Sequence, residues 1–276
     1  MSDSDLEAQV ARSFALLAEY HPRWEARFAA ETDSTSTALR RLLESGGGPQ
    51  RPQLFVAAHQ TGGRGRGEKK WLSAPGKSLL FTAAIPLDML GAQDSGIGRA
   101  QPHFPTTLWP AQIAMGLNLC MRQVGFVTTI KWPNDLIVDG GKVGGILCEQ
   151  LSGWMLAGVG VNLMQDAEDF QAVAPSRYPA KSLLMAARDG HFVNLSPSEL
   201  VPSLLHSVVA ALEAPWPTTR LLHYYREWSC TLGENLVVPV ASGGTLEGIA
   251  VAIADDGALI LETSNGSFHS LRTPLE

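Results

Sequence analysis

The stretch Thr128-Thr129-Ile130-Lys131-Trp132-Pro133-Asn134-Asp135-Leu136-Ile137-Val138-Asp139-Gly140-Gly141-Lys142-Val143-Gly144-Gly145-Ile146-Leu147 decides the fold. Thr128–Trp132 is β-branched and apolar enough for a strand, and Pro133 breaks it while holding Trp132 extended. Leu136–Val138 begins a hairpin that turns at Asp139-Gly140-Gly141. Its return strand is Lys142–Glu149, and Trp154–Val161 is expected to pair beside it. Strands that follow one another through tight turns make an antiparallel region, which a wound βαβ chain does not contain.

Upstream, Leu6, Val10, Phe14 and Leu17 have helical spacing, so residues 5–30 read as one amphipathic helix or two. Asp33-Ser34 can cap a helix over Thr35–Glu44 that Gly46-Gly47-Gly48 stops. Gln53–Ala58 and Ser78–Ile85 read as strands, Asp88–Pro105 as a loop, and Trp109–Val124 as an apolar helix ended by Gly125. Downstream, Ser196-Pro197-Ser198-Glu199 is a capping box opening a helix to about Leu212, and Thr218–Trp228 is a further helix. After Cys230 the short runs Leu236–Val240, Thr245–Ile253 and Ala258–Thr263 alternate with Gly-rich turns, the texture of a barrel of about 45 residues. Such a unit is too small to be comfortable alone and is expected to pack on the larger one. The order of elements predicts an α+β protein: a helical extension over 1–30, a main domain over 31–230 and a small β domain over 231–276.

A chain of 276 residues with 45% hydrophobic content can bury one sizeable core. Its net charge of -6 argues against a dedicated nucleic-acid binder and against an anionic membrane surface. No apolar run approaches the ~20 residues that span a bilayer. The acidic start Met1-Ser2-Asp3-Ser4-Asp5 is unlike a signal peptide. Cys120, Cys148 and Cys230 are far apart and odd in number, which fits reduced thiols in a cytoplasm; neither they nor the scattered histidines have zinc-ligand spacing.

Against the acidic total, Arg64 to Lys77 carries five basic residues and one acid, Glu68. In Gly63-Arg64-Gly65-Arg66-Gly67-Glu68-Lys69-Lys70-Trp71, glycines let backbone amides approach an anion while guanidinium groups grip it, and Trp71 offers a flat face to a ring. On its own this run fits a lid over a nucleotide, a solvated basic loop, or an Arg-Gly stretch touching nucleic acid. Asn134 and Asp135, exposed where Pro133 ends a strand, can hold Mg²⁺ or orient phosphate oxygens, and an ordinary hairpin with a surface lysine explains them equally. The glycines at 144 and 145, and those of Gly158-Val159-Gly160-Val161-Asn162, mark close approach by a ligand or a second backbone.

Taken in order, Asp33-Ser34-Thr35, Gln60-x-x-Gly63-Arg64-Gly65-Arg66, Trp71-x-Ser73-x-x-Gly76, Lys131-Trp132-Pro133-Asn134-Asp135, Lys142-x-Gly144-Gly145-Ile146-Leu147 and Gly158-x-Gly160-x-Asn162 resemble the biotin protein ligases. The resemblance is close from Asp33 to Asn162 and looser in the small C-terminal unit. It implies a mixed sheet with flanking helices, like class II aminoacyl-tRNA synthetases, and an SH3-like barrel. It further implies an enzyme that couples biotin and ATP, with Mg²⁺, to biotinyl-5′-AMP and pyrophosphate, then passes the biotinyl group to a lysine of a biotin carboxyl carrier protein. Ser34, Thr35, Gln60, Gly63, Gly144 and Gly145 would receive biotin, and Trp71 and Asn162 the nucleotide. Lys142, Arg64 and Arg66 would serve both ligands and the chemistry, and Asn134 and Asp135 would lie near the pyrophosphate, with Asp135 on the metal. Joining a carboxylate to a phosphate needs such cations, because two unit charges at about 4 Å repel by about 4 kcal/mol at an effective dielectric near 20.

Ser36 stands where the family commonly has Asn, and Gly67-Glu68-Lys69 where a more basic sequence is usual. Phe268-His269 replaces a usual Gly-Glu before Ser270-Leu271-Arg272. About thirty residues precede Asp33, fewer than the ~60 of a DNA-binding winged helix, so no DNA binding of that type is expected. The expectation is a cytoplasmic monomer or homodimer. The rivals are a lipoate or octanoate ligase of the same fold and, in another class, an Arg-Gly nucleic-acid module.

Overall fold

The computed structural model describes residues 3–45, 49–67, 69–90, 105–189, 197–239 and 244–272. Helix α1 (Asp3–Tyr20) leads into strand β1 (Glu25–Thr32), helix α2 (Thr35–Glu44), and strands β2 (Gln53–Gln60) and β3 (Ser78–Pro86). Helix α3 (Trp109–Gln123) precedes four strands: β4 (Thr128–Lys131), β5 (Asp135–Val138), β6 (Gly141–Leu151) and β7 (Trp154–Asn162). Helices α4 (Leu183–Arg188), α5 (Val201–Glu213) and α6 (Thr218–Glu227) follow, then β8 (Asn235–Pro239), β9 (Thr245–Ile253), β10 (Leu259–Glu262) and β11 (Phe268–Leu271).

The first seven strands form one mixed sheet in the order β1-β2-β3-β7-β6-β5-β4. Only β1 and β2 are parallel, joined across α2; every other neighbouring pair is antiparallel. The β5–β6 turn takes positive φ at Asp139 (46°) and Gly140 (68°), the conformation its sequence demands.

Side chains alternate across the sheet, so its two faces can be read from register. One face carries Phe81, Ala83, Met155, Ala157, Val159 and Ile146 into the main core beneath α1, α3 and α5. On the other, α2 covers only the end where Leu39 meets Ala84 and Leu156. The next rows of that second face are Thr82–Gly158–Leu147 and Leu80–Gly160–Gly145. With glycine at three of these six positions, the uncovered part of the sheet is a trough.

The reading of 5–30 as helix is corrected: Glu25–Thr32 is the edge strand β1, so a boundary at residue 30 falls inside it. Its charged Glu25, Arg27 and Glu31 share one face and Ala26 and Phe28 pack on the core from the other, a period-2 pattern short enough to be missed, and pairing with β2 completes the strand. The short strand β11 was also not read from the sequence, its residues being largely exposed. Gly46–Gly48, most of the Asp88–Pro105 loop, Glu68, Ser196 of the capping box and Val240 lie outside the described residues.

The last four strands form a separate antiparallel sheet in the order β11-β10-β9-β8, the type of sheet expected of an SH3-like unit. Its inner residues Ala250, Ile253, Leu259 and Leu261 join the main core. Trp132 ties the two parts together, donating from Nε1 to the Gly257 carbonyl at 2.9 Å, while its backbone N–H donates to Thr231 Oγ1 at 2.8 Å. Among the described residues no helix is long and apolar enough to cross a membrane.

Candidate active site

The trough is the floor of a cavity of about 230 Å³. Its walls are the start of α2 and the end of β2, the loop that follows β2, and the β4–β5 and β6 segments. Of the positions singled out from sequence, Ser34, Thr35, Gln60, Arg64, Arg66, Trp71, Asn134, Asp135, Lys142 and Gly145 line it. Gly63, Gly144 and Asn162 are not part of its lining.

One end is a hydroxyl and amide network. Gln60 Oε1 accepts from the Thr35 backbone N–H at 2.8 Å and from Thr35 Oγ1 at 3.0 Å. Thr35 Oγ1 and Ser36 Oγ each share a hydrogen bond with Thr82 Oγ1, at 2.8 and 3.0 Å. Ser34 occupies the N-cap position of α2, but its hydroxyl makes no capping bond, which corrects that expectation. Gln60 satisfies a first-turn donor instead, and Asp33 Oδ1 accepts the Ser34 N–H at 2.7 Å. Hydrogen bonds from Arg41 and from the Ser34 amide hold the Asp33 carboxyl below its ordinary value.

The other end is cationic. Lys131 and Lys142 lie there with one carboxylate, Asp135, and Arg64, Arg66, Lys69 and Lys70 add to the cationic lining of the cavity. Lys142 Nζ is 2.6 Å from Asp135 Oδ1, and Lys131 Nζ is 3.5 Å from Oδ2. Lys142 stands on β6 where it pairs with β5, so the strand end aims its ammonium into the cavity. Asn134 serves the backbone: its Nδ2 donates to the Ile146 carbonyl, and its own carbonyl accepts the Ile146 N–H at 3.0 Å. Among the described residues no group of three or more His, Cys, Asp or Glu side chains could hold a metal. Asp135 is a single carboxylate engaged by two lysines, and magnesium is commonly held by one or two carboxylates together with substrate phosphates.

Between the ends lies the loop after β2, folded as a narrow hairpin. Trp71 N–H donates to the Gly63 carbonyl at 2.9 Å, Gly65 N–H to the Lys69 carbonyl at 2.8 Å, and Arg64 bridges to Lys70. Gly63 is required there, because a Cβ would run into the Trp71 carbonyl oxygen. Trp71 turns its indole onto Gly160, with Lys142 Nζ 5.6 Å from the ring centroid. Its Nε1 is buried and has no acceptor, as is Ser73 Oγ. Gly144, by contrast with Gly145, points toward Leu136 on the core side. Asn162 donates to the Lys181 carbonyl at 3.1 Å and accepts from Gln165, pinning the end of β7.

Thr82, Glu149 and Arg40 were not singled out from sequence. The signal was there for two of them: Thr82 is the lone polar residue inside the apolar run Leu79–Ile85, and Glu149 ends the apolar run Val143–Cys148. Glu149 is buried and paired with Arg40 and Arg64. Next to it, Cys148 faces the core; burial, with the Glu149 charge, pushes its thiol far above the ordinary value, so it is inert.

Comparison with known proteins bears on the fold and the family. Residues 28–166 match the biotin/lipoate A/B protein ligase family, and residues 231–274 match the biotin protein ligase C terminal domain. A biotin–[acetyl-CoA-carboxylase] ligase of Paracoccus denitrificans is 32% identical over 247 residues, covering 86% of this chain and 94% of that one. The Mycobacterium tuberculosis protein of the same name is 29% identical, covering 84% and 81%. In fold the chain is similar to an Aquifex aeolicus biotin protein ligase solved with biotin and ATP, with a TM-score of 0.67 at 20% identity, covering 91% of this chain and 97% of that one.

Proposed function

Starting from the fact that this chain belongs to the biotin/lipoate A/B protein ligase family, we propose that its sheet trough is where biotin and ATP are joined. The chain is an adenylate-forming ligase of the biotin–[acetyl-CoA-carboxylase] kind. It activates biotin as biotinyl-5′-AMP with release of pyrophosphate, then transfers the biotinyl group to a lysine of a carrier protein. One observation supports the assignment of the pocket above all others. A fixed hydroxyl–amide network and a cluster of cations face each other across a glycine floor.

Biotin is an apolar bicycle with a polar urea at one end and a carboxylate at the other, and the cavity has the same polarity. Thr35, Gln60 and Ser34 read the urea, with Thr82 holding Thr35 in place. The ring system takes the floor at Gly158, beside the Trp71 indole that covers Gly145 and Gly160. The carboxylate then points to Lys142, whose pairing with Asp135 sets its ammonium in advance of the reaction.

In the first step a biotin carboxylate oxygen attacks the α-phosphorus of ATP, and the bond to the bridging oxygen of pyrophosphate breaks. Lys142 offsets the repulsion between the two anions, and Arg66, Lys69 and Lys70 attract the phosphates. Magnesium arrives with ATP as part of that substrate, and no step is assigned to it on Asp135. In the second step the carrier's neutral lysine amine attacks the biotinyl carbonyl and AMP leaves. No covalent enzyme intermediate is needed, so catalysis is positioning plus fixed charge. Trp71 closes the trough above the nucleotide; its unpartnered Nε1–H is a donor that a ligand oxygen would satisfy.

The protein substrate on this reading is a biotin carboxyl carrier domain. The reduced, buried thiols Cys120 and Cys148 support a cytoplasmic location. The net charge of -6 offers DNA no general attraction, and retention of a biotin operator fragment would count against that part of the reading. The deciding measurement is pyrophosphate release that requires both ATP and biotin, followed by labelling of a carrier domain. Release driven by lipoate or octanoate and not by biotin would overturn it.

A further inference from the structure

We propose that Glu149 is a positioning residue: a buried carboxylate that seats the loop bearing Arg64 over the trough, while Arg40 keeps it paired when the loop lifts. This rests on the reading of the trough as the site where biotinyl-5′-AMP is made and held.

Glu149 lies in the row Ala84–Leu156–Glu149, behind the trough and beneath α2, and its side chain is 2% exposed. One oxygen, Oε1, accepts from two arginines: Arg64 Nη1 at 2.9 Å and Arg40 Nη2 at 3.1 Å. Arg40 comes from α2, which is packed on the sheet; Arg64 comes from the hairpin loop. The second oxygen, Oε2, is buried and accepts nothing, so the carboxylate holds acceptor capacity in reserve.

The seating reaches the substrate through the hairpin. Arg64 is bridged to Lys70, and the next rung joins Gly63 to Trp71, whose indole covers Gly160. Fixing the Arg64 guanidinium therefore fixes where Trp71 comes down. A buried carboxylate with a single cation could release it only at the cost of a bare buried charge. With Arg40 alongside, Arg64 can leave without that cost, so the loop has a defined closed position and still opens. Arg64 is 40% exposed, which keeps its bond to Glu149 modest enough for turnover.

The two arginines thus share the neutralisation of one buried carboxylate, each lessening what the other contributes, and this gives opposite signs to two substitutions. In the full chain, Glu149→Gln is expected to release biotinyl-5′-AMP to solution about tenfold faster than wild type, the factor that 1.4 kcal/mol represents. It would be measured as label on bystander lysines of added albumin, normalised to pyrophosphate formed. Arg40→Met lies outside the cavity lining and leaves Arg64 as the sole cation on Glu149. It is expected to lower the leak below wild type and to slow biotin exchange. Glu149→Asp should restore retention relative to Glu149→Gln.

A merely structural cluster would make both variants leak alike, in step with lost thermal stability; that result, or a Glu149→Gln variant as tight as wild type, overturns the proposal. Should Glu149→Gln fail to fold, the Arg40→Met arm still decides, since a leak at or above the wild-type level refutes the sharing of Glu149 between the two arginines. Wild type that forms no pyrophosphate from biotin and ATP would instead sink the reading of the trough, and this inference with it.

Discussion

The indole of Trp71 occupies the space that a side chain at Gly160 would need: a Cβ there would sit 2.5 Å from Cε2 and 2.6 Å from Cζ2. The loop and the sheet are fitted to each other at this point, 89 residues apart in sequence by subtraction of 71 from 160.

Gly160→Ala is therefore expected to displace Trp71 and open the trough. The overpacking should cost about 1–3 kcal/mol if the loop stays, or release the loop if it does not. Thermal unfolding and biotin calorimetry read both outcomes. Adding Trp71→Ala should recover the stability without recovering ATP binding; a Gly160→Ala variant with wild-type ATP affinity would show that the indole is not part of the nucleotide site.

Lys142→Ala should abolish pyrophosphate release while the fold survives. Its side chain is about one-third exposed and adds little to the core, and Asp135 keeps Lys131 as a partner. Removing one fixed group that stabilises developing charge costs about 10²–10³ in rate. Stopped-flow pyrophosphate detection tests this, and a loss of less than about threefold is too small for the activating cation.

Thr82→Val keeps shape and removes the hydroxyl that both Thr35 and Ser36 touch. Ser36 Oγ loses its partner and Thr35 keeps only Gln60 to fix its hydroxyl; an unpaired buried polar group costs about 1–3 kcal/mol, so biotin affinity should fall by about tenfold with little change in kcat. Equal losses in kcat and affinity would place Thr82 nearer the chemistry than its position allows.

The docking of α1 should weaken in acid. His21 Nδ1 lies 2.6 Å from Glu213 Oε2, His21 Nε2 lies 3.0 Å from His206 Nδ1, and Trp24 Nε1 donates to Glu213 Oε1 at 2.9 Å. Burial, and then the charge of His21, lower the His206 value below 6.5. Burial alone would raise the Glu213 carboxyl, but hydrogen bonds from His21 and Trp24 outweigh it and hold the value below 4.5. Both folded values lie below the unfolded ones, so the unfolded chain binds more protons there and stability falls with pH. The loss should begin as the pH drops through 6.5 and deepen below 4.5. Unfolding midpoints measured across that range check it, and Glu213→Gln should flatten the lower part while costing about 1–3 kcal/mol at neutral pH. An acid slope unchanged by Glu213→Gln would remove this cluster from the explanation.

Much of the fold was legible in the chain because its signals are local. The turn at Asp139-Gly140, the end of α3 at Gly125 with φ of 101°, and the strand texture after Cys230 all follow from what one short segment can do by itself. Lys142 was only half legible: the segment by itself fits an ordinary hairpin with a surface lysine equally well, and the family resemblance singled it out. The strand β1 was less legible, because the alternation Glu25-Ala26-Arg27-Phe28 spans only four residues before Ala29-Ala30 interrupts it, and pairing beside β2 completes the strand.

Sequence by itself determined which residues are small, charged or hydroxylated, and in what order, and that was enough for the α+β architecture, the family and ten of the cavity-lining residues. It did not determine which face each residue meets. Gly144 and Gly145 are adjacent and alike, yet strand alternation sends one toward Leu136 and the core and the other to the trough. Only the pairing of β6 with β7 set Gly145 beside Gly160, and only the return of the loop put Trp71 over them. The partners of Glu149 were likewise decided in space: Arg40 is 109 residues away and Arg64 is 85. A short pattern reports what its own backbone prefers; a buried charge is balanced by whatever the folded chain brings to it, and that is a property of tertiary structure alone.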